Sequence, residues 1–181
     1  RVGGPVKVAM ERFPGKVKLV FAHYPLGFHE MAKPASVLAQ QAWEQGGHEL
    51  FWKVHDALFA AQRELSEDKI KQIGADAGVD MAKVEANKDA HLKLVDATIA
   101  MGNKAGVSAT PSMYINGRKY DPSGGYSPDA IAAIIDKLLK GKLVRIEGRK
   151  RDGYGRLLAD VLIKDKSFAL SLVEKGLAHT F

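Results

Sequence analysis

The feature that most constrains this chain is a long block of helical pattern, from Glu30 to Gly106, set between one apolar strand and one Asn-Gly hairpin. Ahead of the block, Val17 to Phe21 is an apolar run interrupted only by Lys18, which reads as a mostly buried strand, and His23-Tyr24-Pro25 breaks it. Beyond the block, Ser112 to Ile115 and Arg118 to Tyr120 flank Asn116-Gly117, the preferred two-residue turn because both residues tolerate positive φ. This order is that of an α/β domain with helices inserted between its strands.

Within that frame the punctuation is local. Pro5 to Phe13 reads as a short amphipathic helix with Val6, Met10 and Phe13 on one side, ended by Pro14-Gly15. The helical block breaks at Gly46-Gly47, Ser66 and Gly78; Leu50, Phe51, Val54, Leu58 and Phe59 form one stripe. Ser66 followed by Glu67 and Asp68 is a good helix start, with the acids where the helix dipole favours them. A helix is predicted from about Met81 to Asn103, burying Ala90, Leu92, Val95, Ala97 and Ile99. Ser127-Pro128-Asp129 caps another, whose Ile131, Ile134, Ile135, Leu138 and Leu139 carry the cleanest helical period before Gly141. Beyond Gly141, Leu143 to Glu147 and Leu157 to Ile163 read as strands about a turn-rich Arg151 to Gly155, and Ser167 to Lys175 as a helix closed by Gly176. This last unit offers too little apolar surface for an independent core, since units below about 40 residues usually need disulfides or metals.

The 181 residues contain no cysteine, which excludes thiol chemistry, disulfides and thiolate metal sites within them. Two His-Glu pairs, His29-Glu30 and His48-Glu49, lead to Lys33 and Trp52 where a zinc protease motif needs its second His. His48 and His55 fall on one helical face, but no carboxylate clearly converges on them, so packing or capping is the expected role. No phosphate loop or dinucleotide fingerprint is present, and neither cofactor nor metal is expected. A formal charge of +6 is a statement about solubility before one about partners. No apolar run nears the roughly 20 residues of a membrane helix, so no membrane partner is expected.

Lys16 to Leu26, Phe28-His29, Phe51 to Phe59, Gly106 to Ser112 and Ile115-Asn116-Gly117 together resemble the DsbA-like thioredoxin family. The resemblance covers residues 1–140 and implies a thioredoxin-like fold with the DsbA-type helical insertion. It also implies that Thr110-Pro111 is the loop whose proline is cis and whose preceding residue pairs with an extended substrate peptide; read alone, Pro111 is an ordinary proline opening a strand. The family's Cys-x-x-Cys pair belongs at the N-terminus of the first helix, which here begins almost at Arg1, so the chain is expected to be cut just after that motif and to lack the strand before it. The Val17 to Phe21 strand and the hairpin are then expected to close up on each other, the alternative being that the Leu143 to Ile163 hairpin adds to the sheet. The function implied is thiol-disulfide exchange in a periplasmic or secreted setting, with this chain itself redox-silent.

Residues 141–181 resemble the second half of a thermonuclease-like domain of the staphylococcal nuclease family, an OB-fold fragment, through Glu147-Gly148-Arg149, Asp152 to Ala159 and Leu172 to His179. The resemblance implies that Arg156 contacts a scissile phosphate; read alone, it is an exposed arginine ending a turn. Carboxylates from the first half of that barrel, which would bind calcium and act as general base, have no counterpart here. Glu147, Asp152, Asp160 and Asp165 are available acids without metal-site spacing. Arg145, Arg149, Lys150, Arg151 and Arg156 suit weak, nonspecific attraction of nucleic acid along residues 145–156. A calcium-dependent nuclease fragment and a non-catalytic peptide-binding module are the alternative functions.

Overall fold

The computed structural model describes residues 3–139, 145–151, 157–162 and 179–180. Six α-helices and six short strands are present among them: α1 Gly3–Glu11, β1 Val20–Phe21, α2 Ala32–Ala60, α3 Glu67–Ala77, α4 Met81–Ala86, α5 Lys88–Lys104, β2 Tyr114–Ile115, β3 Arg118–Lys119, α6 Pro128–Leu139, β4 Arg145–Arg151, β5 Leu157–Leu162 and β6 His179–Thr180. The strands form three antiparallel ladders, β1 with β6, β2 with β3, and β4 with β5. The chain divides into two compact units, residues 1–19 with 108–174 and residues 20–107 with 175–181.

In the first unit, α1 and α6 share a core with the hairpin. Val6, Ala9, Tyr120, Ile131, Ala132 and Ile135 are buried, and Met10, Phe13, Val17, Leu19, Met113 and Ile115 pack around them. The spacing of Val6 and Ala9 on α1, and of Ile131 and Ile135 on α6, puts one stripe of each helix inward. The Ser127 hydroxyl caps α6 by accepting from the Ala130 N–H at 3.1 Å, as expected. Arg12 Nη2 lies 2.7 Å from Asp129 Oδ1, but both side chains are exposed, so the pair contributes little. The hairpin turns at Asn116 and Gly117, with φ of 51° and 76°. The strands β4 and β5 pair from Arg145↔Leu162 to Arg151↔Leu157, with an irregularity between Gly148 and Lys150.

In the second unit, α3, α4 and α5 pack against α2, and Leu38, Phe51 and Val54 of α2 and Val95 of α5 are fully buried. The expected break at Gly46-Gly47 appears as a kink: Gly46 has φ −139° and Gly47 has φ 60°, ψ −149°, both outside the helical region. Ser66 caps α3 by accepting from the Lys69 N–H at 3.1 Å, and Gly78 ends that helix. Gln45 ties α2 to the start of α4: its Oε1 accepts from the Asp80 N–H at 2.7 Å and its Nε2 donates to the Asp80 carbonyl at 3.2 Å. Phe21, Phe51, Trp52, His55 and Phe59 form an aromatic cluster, with Phe21 and His55 centroids 4.8 Å apart. His55 is therefore packed, as its pattern suggested, while His48 is exposed.

Four expectations are corrected. The run 17–21 is strand only at Val20–Phe21, because Val17 and Leu19 bury their side chains in the first unit without a ladder partner among the described residues. Its partner is β6 rather than the hairpin, so the two strands do not close up on each other. The helix expected over Met81 to Asn103 is two helices, parted at Asn87, whose φ of −101° and ψ of 4° leave the helical region. Its inward side also differs: His91, Val95 and Thr98 are buried, whereas Ala90 and Ala97 are exposed. Of the turn expected at Arg151 to Gly155, Arg151 instead ends β4 and the rest lies outside the described residues, as do the boundary at 140/141 and the helix from Ser167.

Candidate functional site

The Thr110-Pro111 loop begins where α5 stops. The Gly106 N–H donates to the Asn103 carbonyl and the Val107 N–H to that of Gly102, each at 3.0 Å, closing the helix end. Tyr24 secures the same end from one side: its hydroxyl donates to Asn103 Oδ1 at 2.6 Å and approaches the Val107 carbonyl at 3.3 Å. A side chain at Gly102 would meet the Tyr24 ring, since a Cβ built there lies 2.7 Å from Cδ2 and Cε2. Only glycine lets that ring lie so close.

From Ser108 to Pro111 the chain is exposed, and Ser112 is half-buried. The Thr110-Pro111 peptide bond is cis. The Ser112 hydroxyl donates to the Ala109 carbonyl at 2.7 Å, drawing the loop into a closed turn around the two predicted site residues. The Pro111 carbonyl accepts from the Tyr126 hydroxyl at 3.0 Å. After Met113, whose carbonyl accepts from the Tyr120 N–H at 2.8 Å, the chain enters β2. Among the described residues, no hydrogen bond engages the main-chain groups of Thr110. An exposed main chain with unengaged groups, leading directly into a strand, can receive another extended chain.

After the hairpin, Asp121 starts a short 3₁₀ turn, Pro122–Gly124, and accepts from the Ser123 N–H at 2.9 Å. That bond, with a further one from the Ser123 side chain, holds the Asp121 carboxyl below its ordinary pKa. Tyr120 and Tyr126 flank the turn and stack with centroids 5.4 Å apart at 25°. The sequence pattern gives Tyr24 only a place in the break after the first strand and Tyr120 only the end of the hairpin, and does not single out Tyr126. The visible signal was a pair of aromatics bracketing Asp-Pro-Ser-Gly-Gly, a run that must turn back on itself.

Arg156 lies outside the described residues. Of the cations named with it, Arg145, Arg149, Lys150 and Arg151 lie on β4, and Glu147 stands opposite Asp160 in the ladder. No group of three or more His, Asp or Glu among the described residues could hold a metal ion. Nor is any helix among them long and apolar enough to cross a membrane.

Comparison with known proteins adds two family matches. Residues 7–137 match the family described as Thioredoxin, and residues 109–181 match that described as Staphylococcal nuclease homologue. The thioredoxin-like part is thus followed by a nuclease-like part, the two matches sharing 109–137. The shared stretch holds the site loop, the hairpin and most of α6, which pack with α1. Among curated relatives, the chain is similar to the Na(+)/H(+) antiporter NhaA of Nitrosospira multiformis, 35% identical over 118 residues, covering 61% of this chain and 18% of the relative. Antiporter NhaA 3 of Salinispora tropica is 29% identical over 142 residues, covering 76% of this chain and 21% of the relative. NhaA 1 of Salinispora arenicola is 26% identical over 133 residues, covering 71% and 20%. The chain therefore spans about a fifth of the length of these relatives. No solved structure matches it.

Proposed function

The chain belongs to the thioredoxin family, and from that premise we propose that residues 3–139 form the peptide-receiving face of a DsbA-like thiol-disulfide oxidoreductase domain. Helices α2 to α5 are then its helical insertion, and Thr110 and Pro111 its substrate-binding loop. The observation that carries this reading is the exposed Ser108 to Pro111 segment with the main chain of Thr110 unengaged beside β2. Extended peptides bind such edges through main-chain hydrogen bonds, with side-chain pockets adding selectivity. Because these 181 residues hold no thiol, they bind without exchanging. The partner is an unfolded or extended stretch of a protein in a periplasmic or secreted setting, where disulfide chemistry is useful. The relatives named as antiporters match over about a fifth of their length, which suits a thioredoxin module carried by a larger protein rather than transport by this chain.

Insulin reduction tests the redox part: no turnover is expected from the 181-residue chain, and measurable turnover overturns the assignment. Binding of reduced, S-carboxymethylated α-lactalbumin, a permanently unfolded polypeptide, tests the rest. Its addition should move the amide resonances of residues 108–112, and failure to perturb them counts against the loop as the site.

A second reading rests on the nuclease match over 109–181. In it, Arg156 contacts phosphate through its fork of donors and fixed charge, within a basic stretch at 145–156 that attracts nucleic acid weakly. Calcium-dependent cleavage of single-stranded DNA, lost in Arg156→Ala, would establish this activity; its absence would leave the segment at most an electrostatic contact.

A further inference from the structure

The circuit from Tyr120 to Tyr126 is unusually well tied. Tyr120 is 5% exposed in the core formed by α1 and α6, and its hydroxyl donates to the Gly125 carbonyl. The Gly125 N–H returns to the Pro122 carbonyl at 2.8 Å, closing the 3₁₀ turn. Tyr126 stacks on the Tyr120 ring, so its own ring rests on a support fixed in the core. From there its hydroxyl reaches the Pro111 carbonyl at 3.0 Å.

That contact has a geometric effect one atom further on. The Pro111 carbonyl and the Ser112 N–H belong to one peptide plane, and in a trans peptide they point in opposite directions. Among the described residues Thr110-Pro111 is the one cis bond, so the Pro111-Ser112 bond is trans. Holding the carbonyl toward Tyr126 therefore turns the Ser112 N–H to the opposite side, where no described residue engages it. The plane is set by a side chain anchored in the core rather than by the exposed loop.

We propose that Tyr126 is the positioning residue of the peptide-receiving loop: by taking the Pro111 carbonyl it fixes the plane that presents the Ser112 N–H as a donor to the main chain of an extended peptide. This rests on the loop being the peptide site, and it adds a donor beyond Thr110 and the residue that aims it. A preset donor avoids the ordering cost that a freely turning plane would incur on binding.

The test is Tyr126→Phe in the 181-residue chain, which keeps the ring and its stacking and removes only the hydroxyl. In the free protein, the Ser112 amide should shift and its order parameter fall, while the amides of α6 and the melting midpoint stay within experimental scatter. With S-carboxymethylated α-lactalbumin as probe, Kd should rise about five- to tenfold, the range expected for one hydrogen bond's worth of preorganisation. A purely structural role would move the melting midpoint and leave affinity at temperatures well below it unchanged. An unmoved Ser112 resonance in the variant overturns the positioning role. Wild-type protein that does not bind the probe overturns the peptide-site reading and the donor role with it; the order parameter still decides whether Tyr126 sets the plane.

Discussion

Two positions set the most demanding local conditions. Gly102 leaves room for the Tyr24 ring, where a Cβ would sit 2.7 Å from two ring carbons, and Tyr24 is tethered through its hydroxyl to Asn103. Gly102→Ala should therefore destabilise the protein by about 1–3 kcal/mol, the usual cost of overpacking, measured as a lower urea midpoint at unchanged slope. An unchanged midpoint would mean the ring moves aside freely. Asp121 supplies a pH signature. Its folded pKa is lowered by the Ser123 backbone and side-chain hydrogen bonds, so its contribution is present above the unfolded carboxylate's pKa and lost as pH falls through the folded one. A carboxyl-detected titration should place Asp121 below the ordinary Asp range, with Ser123→Ala moving it part of the way back; an ordinary midpoint in the parent refutes this. At this scale the sequence was a partial guide. The cis bond at Thr110-Pro111 was legible through family resemblance, whereas the inward face of α5 was hidden because two of its buried residues are polar. Thr98 satisfies its hydroxyl on the Leu94 carbonyl at 2.9 Å, and His91 Nε2 meets Glu44 Oε1 at 2.9 Å; hydrophobic periodicity does not register such partners.

Among the elements, α2 and α3 show how far punctuation alone carries. Gly47, at φ 60° and ψ −149°, occupies a region essentially reserved for glycine, so Gly47→Ala should cost about 1–3 kcal/mol. Ser66→Ala removes the cap on the Lys69 N–H and should cost about 1 kcal/mol. Chemical denaturation of both variants ranks them; a capping loss exceeding the kink loss would mean that α2 can straighten through Gly47. Both breaks were readable because Gly-Gly and Ser-Glu-Asp act through local backbone chemistry. The parting of α4 from α5 was not, because Asn87 sits in an otherwise helical pattern and its side chain turns instead to Gln41, Nδ2 donating to Oε1 at 2.9 Å. The shortening of the 17–21 strand was equally hidden, since an apolar run states that residues are buried and not whether a neighbour strand lies beside all of them.

For the whole molecule, the ladder joining β1 to β6 consists of two residue pairs, Val20↔Thr180 and Phe21↔His179, while Phe51 and Val54 of α2 are fully buried. Amide exchange should therefore protect Val20 and Phe21 far less than Phe51, and equal protection would show that the strand pair opens only with global unfolding. The same ladder has a consequence in time. Residues 20–21 find their partner at residues 179–180, so that edge can close only after everything between has been synthesised. At ordinary translation rates this is a wait on the order of ten seconds. During it, Phe21 belongs to a cluster with Phe51, Trp52 and His55, and its strand edge still lacks its β6 neighbour. A nascent chain in that condition is a ready client for a holding chaperone until residues 179–180 arrive to cover the edge.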